Sequence, residues 1–361
     1  MTSPLDRENL RQRVQSSADA LLTAQTIVLA ELDEDLSLLL DPVRRLLSGG
    51  KRLRAAFAYW GYRAAGRPDS DALVRLATAM ELLQAAALLH DDVMDGSATR
   101  RGMPSAHRAV AGHHAQAGWS GDSGRFGEAT AVLSGNLCLQ WTDELYSTCG
   151  LPAEHLGRAR PMFDRMRTQL MGGQFLDVLG SARGWTGLGT DERIAAARKV
   201  IRFKSAKYTI EQPLLVGALA GGLGEGALGP LSAYGLALGE AFQLRDDLLG
   251  VFGDPAQTGK PAGDDLREGK RTVLLAHALD PAGAETATAI RGLLGRADLD
   301  DADILALRQA IAGTGAVDAV ERRIAALAGE ALASLQQARG LDPEARDVLG
   351  ELVDVATRRD A

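Results

Sequence analysis

Two long apolar segments constrain the fold of this chain most strongly, and each ends in paired aspartates. The first covers residues 71–95 and carries almost no charge before Asp91. The second covers 227–252 and contains Asp246 and Asp247 near its end. Since their apolar residues recur at helical period on most faces, both segments require burial among other helices. We therefore predict a helical bundle with these two helices at its centre.

The remaining segments repeat apolar residues at helical spacing, and no stretch alternates at period two for long. Aromatic residues make up only 4% of a chain rich in alanine and leucine, a composition that favours helices. We predict an all-α fold with one domain, 1–361. Predicted helices cover 9–40, where Pro42 marks the end, then 52–65, 71–95, 128–149, 153–179, 191–207 and 227–252, with further helices from 272 onward. Predicted loops are 180–189, 253–271 and a flexible, glycine-rich insertion at 112–127, with a break or kink at Pro213.

Composition and charge exclude several classes of function. A net charge of −7, with no basic block, argues against a nucleic-acid partner. The two cysteines, Cys138 and Cys149, have neither disulfide-framework nor zinc-site spacing. The charged N-terminus does not resemble a signal peptide, and no run of about 18 apolar residues indicates a transmembrane segment. The sequence is typical of a soluble, cytoplasmic protein.

The first acidic motif has the composition of a metal–phosphate site. On a helix, Asp91 and Asp95 lie on one face, about 6 Å apart, with Asp92 beside them. Carboxylates without cysteine or histidine at ligand spacing favour a hard cation such as Mg²⁺, whose shell is completed by substrate phosphates. Arg100 and Arg101 follow closely, and guanidinium groups bind phosphate oxygens bidentately. A solvated helix end remains the alternative for this motif alone.

The second acidic pair, Asp246 and Asp247, strengthens the metal interpretation. Two long apolar helices that both end in Asp-Asp are difficult to explain as independent surface caps. If the bundle brings the two ends together, each could hold Mg²⁺ against one diphosphate. Basic residues that could bind phosphate occur at Lys51, Arg52 and Arg54, at Lys204 and Lys207, and at Lys260, Lys270 and Arg271.

These motifs together resemble the trans-isoprenyl diphosphate synthases, a family with the all-α terpenoid-synthase fold and a central active-site cavity. Six motifs occur in family order across residues 49–272, so the resemblance spans about the central two-thirds of the chain. They are Gly49-Gly50-Lys51-Arg52-Leu53-Arg54, the stretch from His90 to Gly102, Gly172-Gly173-Gln174-Phe175-Leu176-Asp177, Lys204-Ser205, the stretch from Phe242 to Asp247, and Gly259-Lys260-Pro261 through Lys270.

The resemblance implies a role for each matching residue. Asp91, Asp92 and Asp95 would bind two Mg²⁺ ions on an allylic diphosphate, and Asp246 with Asp247 would bind a third. The same diphosphate would be bound by Arg100, Lys204, Lys260 and Lys270. Isopentenyl diphosphate would be bound by Lys51, Arg54 and Arg101, with Gln84 nearby. Gln174, Ser205 and Gln243 would lie along the reacting carbons. The family also implies a homodimer.

Several positions depart from the family pattern. The second acidic motif often has a fifth-position aspartate, but Gly250 stands there, and Asp254 lies further along. Gln84 stands where histidine is common, Ser205 where threonine is common, and Asn136 where aspartate is common. Gly250 therefore puts the third metal site in question.

Product length depends on the side chains that precede Asp91 on its helix. The small Ala86 and Ala87, with Leu83, would not stop a farnesyl-length tail. Met80 lies eleven residues before Asp91, about 16 Å along a helix, which is about the length of a geranylgeranyl tail. We predict geranylgeranyl diphosphate as the product, with a farnesyl or longer-chain synthase as alternatives. Close helix packing would also account for the alanines.

Two other functions share this fold. A class I terpene cyclase would use the same metals, but it has no use for the second diphosphate site at Lys51, Arg54 and Arg101. A non-catalytic partner subunit of another synthase would be expected to lose its acidic motifs, whereas this chain retains the first in full.

Overall fold

The computed structural model describes residues 3–254, 263–279, 283–296 and 298–358, and these residues are almost entirely helical. This confirms the predicted all-α class. After a short 3₁₀ segment, Pro4–Asn9, the first nine α-helices are α1 (Leu10–Ala30), α2 (Ser37–Leu47), α3 (Leu53–Arg63), α4 (Asp71–Met94), α5 (Ala106–Gln116), α6 (Ser123–Ser147), α7 (Ala153–Arg183), α8 (Thr190–Val200) and α9 (Gln212–Gly221). The others are α10 (Glu225–Phe252), α11 (Asp264–Arg267), α12 (Val273–Ala278), α13 (Ala284–Leu293), α14 (Asp301–Ala312), α15 (Ala316–Gln337) and α16 (Pro343–Thr357).

Four further elements occur among the described residues. A second 3₁₀ segment, Glu34–Leu36, lies between α1 and α2. Two-residue strands β1 (Thr99–Arg100) and β2 (Met103–Pro104) pair antiparallel. A π-helix, Ile201–Glu211, connects α8 to α9. Its end precedes Pro213, where the sequence predicted a break or kink.

The chain forms two compact units. The first contains Met1–Ala159 and Val216–Gly222, and the second contains Arg160–Leu215 and Leu223–Ala361. The predicted single domain stays a prediction. Each unit contains one of the two long apolar helices, α4 in the first and α10 in the second.

Helix α4 is the central helix of the first unit and packs against α1, α3 and α6. Its start is fixed by Ser70, whose hydroxyl accepts the Leu73 N–H at 3.2 Å and so satisfies a first-turn donor. By length and hydropathy α4 could cross a membrane, but 72% of its most apolar window is buried within the protein. Its composition is therefore explained by burial in a core.

Helix α10 is the central helix of the second unit and packs against the π-helix and α15. A Cβ atom at Gly239 would lie 2.6 Å from the Cα atom of Ala206. The backbones of α10 and the π-helix therefore touch, which only a glycine at this position permits.

The prediction of a flexible insertion at 112–127 is wrong for most of that stretch. Residues 112–116 end α5, and α6 begins at Ser123. The buried His114 ring contacts Trp119 and Phe126, with ring centroids 5.7 and 5.1 Å away. The Asp122 carboxylate caps α6 by accepting the Arg125 N–H at 2.7 Å. Tertiary packing and a helix cap therefore outweigh the local glycine content.

The predicted end of the first helix at Pro42 is also wrong. The chain breaks earlier, between Ala30 and the 3₁₀ segment, and Pro42 lies inside α2. Pro42 is buried together with Val43 and Leu47. Burial of this face compensates for the hydrogen bond that proline cannot donate.

His155, at the start of α7 in the first unit, should make stability depend on pH. Burial and then the charges of Arg158 and Arg67 lower its pKa, so the unfolded chain takes up a proton first as pH falls. The stabilisation from neutral His155 is therefore complete above the unfolded pKa, near 6.5, and is lost as pH falls below it. We expect the melting temperature to fall less between pH 7.5 and 5.5 in His155→Gln than in the wild type.

The exposed His113 provides a matched control for this measurement. His113→Gln should retain the wild-type pH dependence of the melting temperature, recorded by circular dichroism. Equal slopes for all three proteins would show that His155 is not responsible.

Candidate active site

In the first unit, a tight hairpin presents the two adjacent arginines. Thr99 pairs with Pro104 and Arg100 with Met103, which leaves Arg101 and Gly102 as the two turn residues. Both have positive φ, 54° and 75°, as a type I′ hairpin turn requires. The side chains of Arg100, in the strand, and Arg101, in the turn, therefore point in different directions. The sequence did not predict this hairpin, because its strands are only two residues long.

The first acidic motif has the geometry predicted for it. Asp95 caps the end of α4, and its N–H donates to the Asp91 carbonyl at 2.8 Å. The two residues are therefore one helical turn apart, and both carboxylates are half-buried. This places two carboxylates that could bind a metal on one face at the end of a buried helix.

Asp92 differs from its two neighbours because it is buried and paired with Arg100. It is 1% exposed, and its Oδ1 accepts hydrogen bonds from the Nε of Arg100, at 3.0 Å, and from the Nη2. Arg100 Nη2 also lies 4.0 Å from Asp91 Oδ2. Asp92 therefore orients Arg100 beside the motif, a contact that the sequence did not reveal.

Arg101 lies against the Gly49-Gly50 turn. Its Nη1 donates to the Leu46 carbonyl at 2.9 Å, and its Nη2 lies 3.0 Å from where a Cβ atom of Gly50 would be. Gly50 has a φ of 113°, which also excludes a side chain there. The structure thus brings Arg101 to the segment 49–54, which contains Lys51 and, in the first turn of α3, Arg54.

The predicted chain-length residues of α4 differ in burial. Gln84 and Ala87 are half-exposed and lie two turns and one turn before Asp91. Ala86 is 0% exposed, and Leu83 and Met80 are each 1% exposed. Ala87 and Met80, four and eleven residues before Asp91, therefore lie on the same face as Asp91, with Met80 at its buried end, whereas Ala86 faces the protein interior on another side of the helix.

In the second unit, a hydrogen-bonded chain connects the π-helix to the second acidic motif. The Ser205 hydroxyl donates to Gln243 Oε1, and Gln243 Nε2 donates to Asp247 Oδ1 at 2.8 Å. Burial raises the pKa of Asp247 to about 8, opposed by the bond from Gln243. Asp246 is half-buried beside it. This pair is thus suited to bind a cation, which would favour the ionised form.

Lys204 is held next to the motif that contains Gln174. Its Nζ donates to Asp177 Oδ2 at 2.6 Å. A Cβ atom at Gly173 would lie 2.4 Å from the Lys204 nitrogen, so α7 contacts the backbone of the π-helix directly. The sequence placed Asp177 in a motif but did not identify it as the partner of Lys204.

Asp265 occupies the space next to Gly250 that a fifth-position side chain would enter. A Cβ atom at Gly250 would lie 2.0 Å from Asp265 Oδ2. Asp265 is 8% exposed, and its Oδ1 lies 3.1 Å from Lys270 Nζ. A carboxylate from α11 thus stands where the motif lacks one, whereas in the sequence Asp254 was the only candidate.

The carboxylates present fit Mg²⁺ bound jointly with a diphosphate. Among residues 3–254, 263–279, 283–296 and 298–358, no three His, Cys, Asp or Glu side chains are close enough to hold a metal by themselves. Mg²⁺ typically uses one or two carboxylates and completes its shell with phosphates and water. Asp91 with Asp95, and Asp246 with Asp247, provide such pairs. Lys260, predicted to bind the allylic diphosphate, lies outside the described residues.

Comparisons with known proteins identify the family of this chain. The polyprenyl synthetase family profile matches residues 36–311. The chain is 30% identical to the geranylfarnesyl diphosphate synthase of Aeropyrum pernix over 86% of this chain and 91% of that one. It is 31% identical to the octaprenyl diphosphate synthase of Escherichia coli over 98% and 99%.

Solved structures show the same similarity. A geranylgeranyl pyrophosphate synthase from Corynebacterium glutamicum, complexed with isoprenyl diphosphate and magnesium, superposes with a TM-score of 0.92. It is 40% identical and covers 97% of this chain and 98% of its own. A Caulobacter crescentus polyprenyl synthase, complexed with calcium and isoprenyl diphosphate, has a TM-score of 0.79 at 30% identity, covering 99% and 98%.

Proposed function

The chain belongs to the polyprenyl synthetase family, and we propose that it is a Mg²⁺-dependent trans-prenyltransferase that lengthens an allylic diphosphate with isopentenyl diphosphate. The observation that carries this proposal is the segment from Gly49 to Arg54, which ends in the first turn of α3, with Arg101 against it. This second cationic site, separate from the acidic motif, is what a reaction between two diphosphates requires. It also favours elongation over a terpene cyclase, which binds only one diphosphate.

The two diphosphates differ in the groups that bind them. Lys51, Arg54 and Arg101 bind isopentenyl diphosphate through charge-assisted hydrogen bonds. Arg100, oriented by Asp92, binds the allylic diphosphate beside Asp91. In the second unit, Lys204 and Lys270 bind this same leaving group, with Lys260 as a further predicted contact.

Departure of the allylic diphosphate breaks a carbon–oxygen bond and leaves an allylic cation. Asp91, Asp92 and Asp95 in the first unit, and Asp246 and Asp247 in the second, would hold Mg²⁺, which when bound would supply Lewis-acid stabilisation of the leaving oxygen. Arg100 and Lys204 neutralise the same developing charge. Isopentenyl diphosphate then forms the new bond through its alkene and loses a proton to the released diphosphate. Gln174, Ser205 and Gln243 position the reacting carbons.

The deciding experiment incubates purified protein with Mg²⁺, isopentenyl diphosphate and dimethylallyl, geranyl or farnesyl diphosphate, followed by sizing of the products. We expect longer all-trans prenyl diphosphates, and no turnover after chelation of the metal by EDTA. A cyclic hydrocarbon would identify a cyclase. Absence of elongation with every primer would favour the non-catalytic partner.

We propose geranylgeranyl diphosphate as the product. The related Corynebacterium glutamicum protein is a geranylgeranyl pyrophosphate synthase, whereas other relatives are geranylfarnesyl and octaprenyl diphosphate synthases. The small Ala87 leaves the face below Asp91 open, and Met80 lies about 16 Å along the helix. A farnesyl or longer product is the alternative that product sizing decides.

Enlarging Ala87 should shorten the product. We expect Ala87→Phe to reduce the main product by at least one isoprene unit, because its side chain projects from the open face one turn below Asp91. Ala86→Phe should shorten it too, but with a lower melting temperature, because Ala86 is fully buried. Chromatography of dephosphorylated products measures this. Arg75→Phe, on the exposed side of the same helix, should leave product length unchanged.

We further propose that the protein is a cytoplasmic homodimer. In the first unit, α6 exposes the adjacent Val132 and Leu133, 40% and 53% accessible. In the second, α7 exposes Met171, Phe175 and Val178, with Phe175 at 63%. Apolar side chains grouped on single helices are typical of interfaces. Sedimentation equilibrium would test this, and a monomer at micromolar concentration would contradict it.

A further inference from the structure

Arg52 is a buried arginine within the loop proposed to bind isopentenyl diphosphate. It is 5% exposed, whereas its neighbour Lys51 is exposed. Its backbone is left-handed, with φ 55° and ψ 40°, a conformation that costs free energy for a residue with a side chain. Contacts of the buried guanidinium compensate for this strain.

Those contacts reach three different helices of the first unit. Arg52 Nη2 donates to Gln15 Oε1 of α1 at 2.6 Å and to the Leu47 carbonyl at the end of α2. Its Nη1 lies 3.6 Å from Glu81 Oε2 of α4. One side chain therefore joins the loop to α1, α2 and α4 together.

Glu81, the ion-pair partner of Arg52, also binds the start of α3. It is 6% exposed, and its Oε1 accepts the Ala55 N–H at 3.0 Å. The first N–H groups of a helix need external acceptors. Arg52, the residue at the N-cap position, makes no capping bond with its side chain. Glu81 thus supplies the cap from another helix, one turn before Gln84.

Arg101 depends on the same part of α2. It donates to the Leu46 carbonyl, while Arg52 donates to the next carbonyl, that of Leu47. Burial and the charge of Arg52 lower the pKa of Arg101, and the charge of Glu81 raises it. A shift of the loop would therefore move Lys51, Arg54 and Arg101 together.

We propose that Arg52, paired with Glu81, is a positioning residue that fixes the cationic groups of the isopentenyl diphosphate site. This rests on the proposed function. Arg52 acts through its neighbours, since its guanidinium is enclosed by Gln15, Leu47 and Glu81. Because Lys51 and Arg54 flank it within two residues, loss of its contacts moves both charged tips. Binding of a diphosphate by several cations is sensitive to displacements of about 1 Å.

The test compares Michaelis constants for the two substrates. Arg52→Met should raise the KM for isopentenyl diphosphate at least tenfold and leave the KM for the allylic diphosphate within twofold. Arg52→Lys, which keeps the charge but reaches fewer acceptors, should give an intermediate rise. A purely structural role would instead lower the active fraction and melting temperature with both constants unchanged, which would overturn the proposal.

A second variant keeps the test decisive if Arg52→Met does not fold. Gln15→Leu removes one partner of Arg52 without changing any charge, and it lies on α1, outside the proposed binding residues. We expect a two- to fourfold rise in the KM for isopentenyl diphosphate alone. Unchanged constants in both Gln15→Leu and Arg52→Lys would overturn the proposal. Arg44→Met, an exposed arginine on α2, is the matched control and should match the wild type.

Failure of the proposed function can be distinguished from failure of this inference. Calorimetric titration with isopentenyl diphosphate measures its Kd without turnover. If the wild type binds it but elongates no primer, the proposed function fails, and the Kd values of the variants still test Arg52. Equal Kd values for wild type, Arg52→Lys and Gln15→Leu would then overturn the role of Arg52.

Discussion

Asp91→Asn is expected to lower kcat by about 10²–10³-fold, the loss typical when one electrostatic group that stabilises a developing charge is removed. Asparagine keeps the size of the side chain but removes the charge that would hold Mg²⁺ on the allylic diphosphate. Asp91 is half-buried at the end of a helix that is fixed by its own core contacts, so the fold should be retained. Steady-state rates across a Mg²⁺ titration measure this effect.

The same helix provides the control for Asp91. Asp71→Asn changes an exposed carboxylate in the first turn of α4, and it should leave kcat within twofold. An Asp91→Asn enzyme with wild-type kcat and Mg²⁺ dependence would remove this carboxylate from the proposed metal site. Equal losses in both variants would instead indicate a general effect on α4.

The helices were predictable because burial determines their pattern. In α4 and α10 apolar residues occur on most faces, and both segments form helices that agree with prediction to within two residues at each end. Asp91 and Asp95 were placed correctly because α-helical geometry alone puts residues four apart on one face. Local periodicity therefore predicted the fold class and the helical spacing of Asp91 and Asp95, whose role in metal binding stays a prediction.

The missed features depend on contacts between residues distant in sequence. The hairpin that separates Arg100 from Arg101 is too short for a strand pattern. The packing of His114 on Phe126 stabilises the end of α5 and the start of α6, although the local propensity of this glycine-rich stretch predicts a loop. Asp265 lies fifteen residues after Gly250 in the sequence, yet beside it in space. Only tertiary structure brings such pairs together.

Gly250→Asp, which would restore the common family motif, is expected to impair this protein. The new Cβ atom would lie 2.0 Å from Asp265 Oδ2, and the new carboxylate would meet an existing one. Overpacking of this kind typically costs about 1–3 kcal/mol, so we expect a lower melting temperature and reduced activity at limiting Mg²⁺. Gly229→Asp is the matched control, since nothing lies within 4 Å of a Cβ atom there on the same helix.

The double variant Gly250→Asp/Asp265→Ala distinguishes a steric clash at Gly250 from the loss of a carboxylate that helps to bind the metal. If Asp265 supplies the carboxylate that the motif lacks, Asp265→Ala alone should raise the Mg²⁺ concentration needed for half-maximal activity, and adding Gly250→Asp should reverse part of that rise. The two changes would then be strongly non-additive, as expected for residues in contact. Recovery of the melting temperature in the double variant without recovery of the Mg²⁺ requirement would show that Asp265 serves only to hold Lys270, 3.1 Å away. A Gly250→Asp protein with higher activity than the wild type would instead show that the second motif is incomplete in this chain.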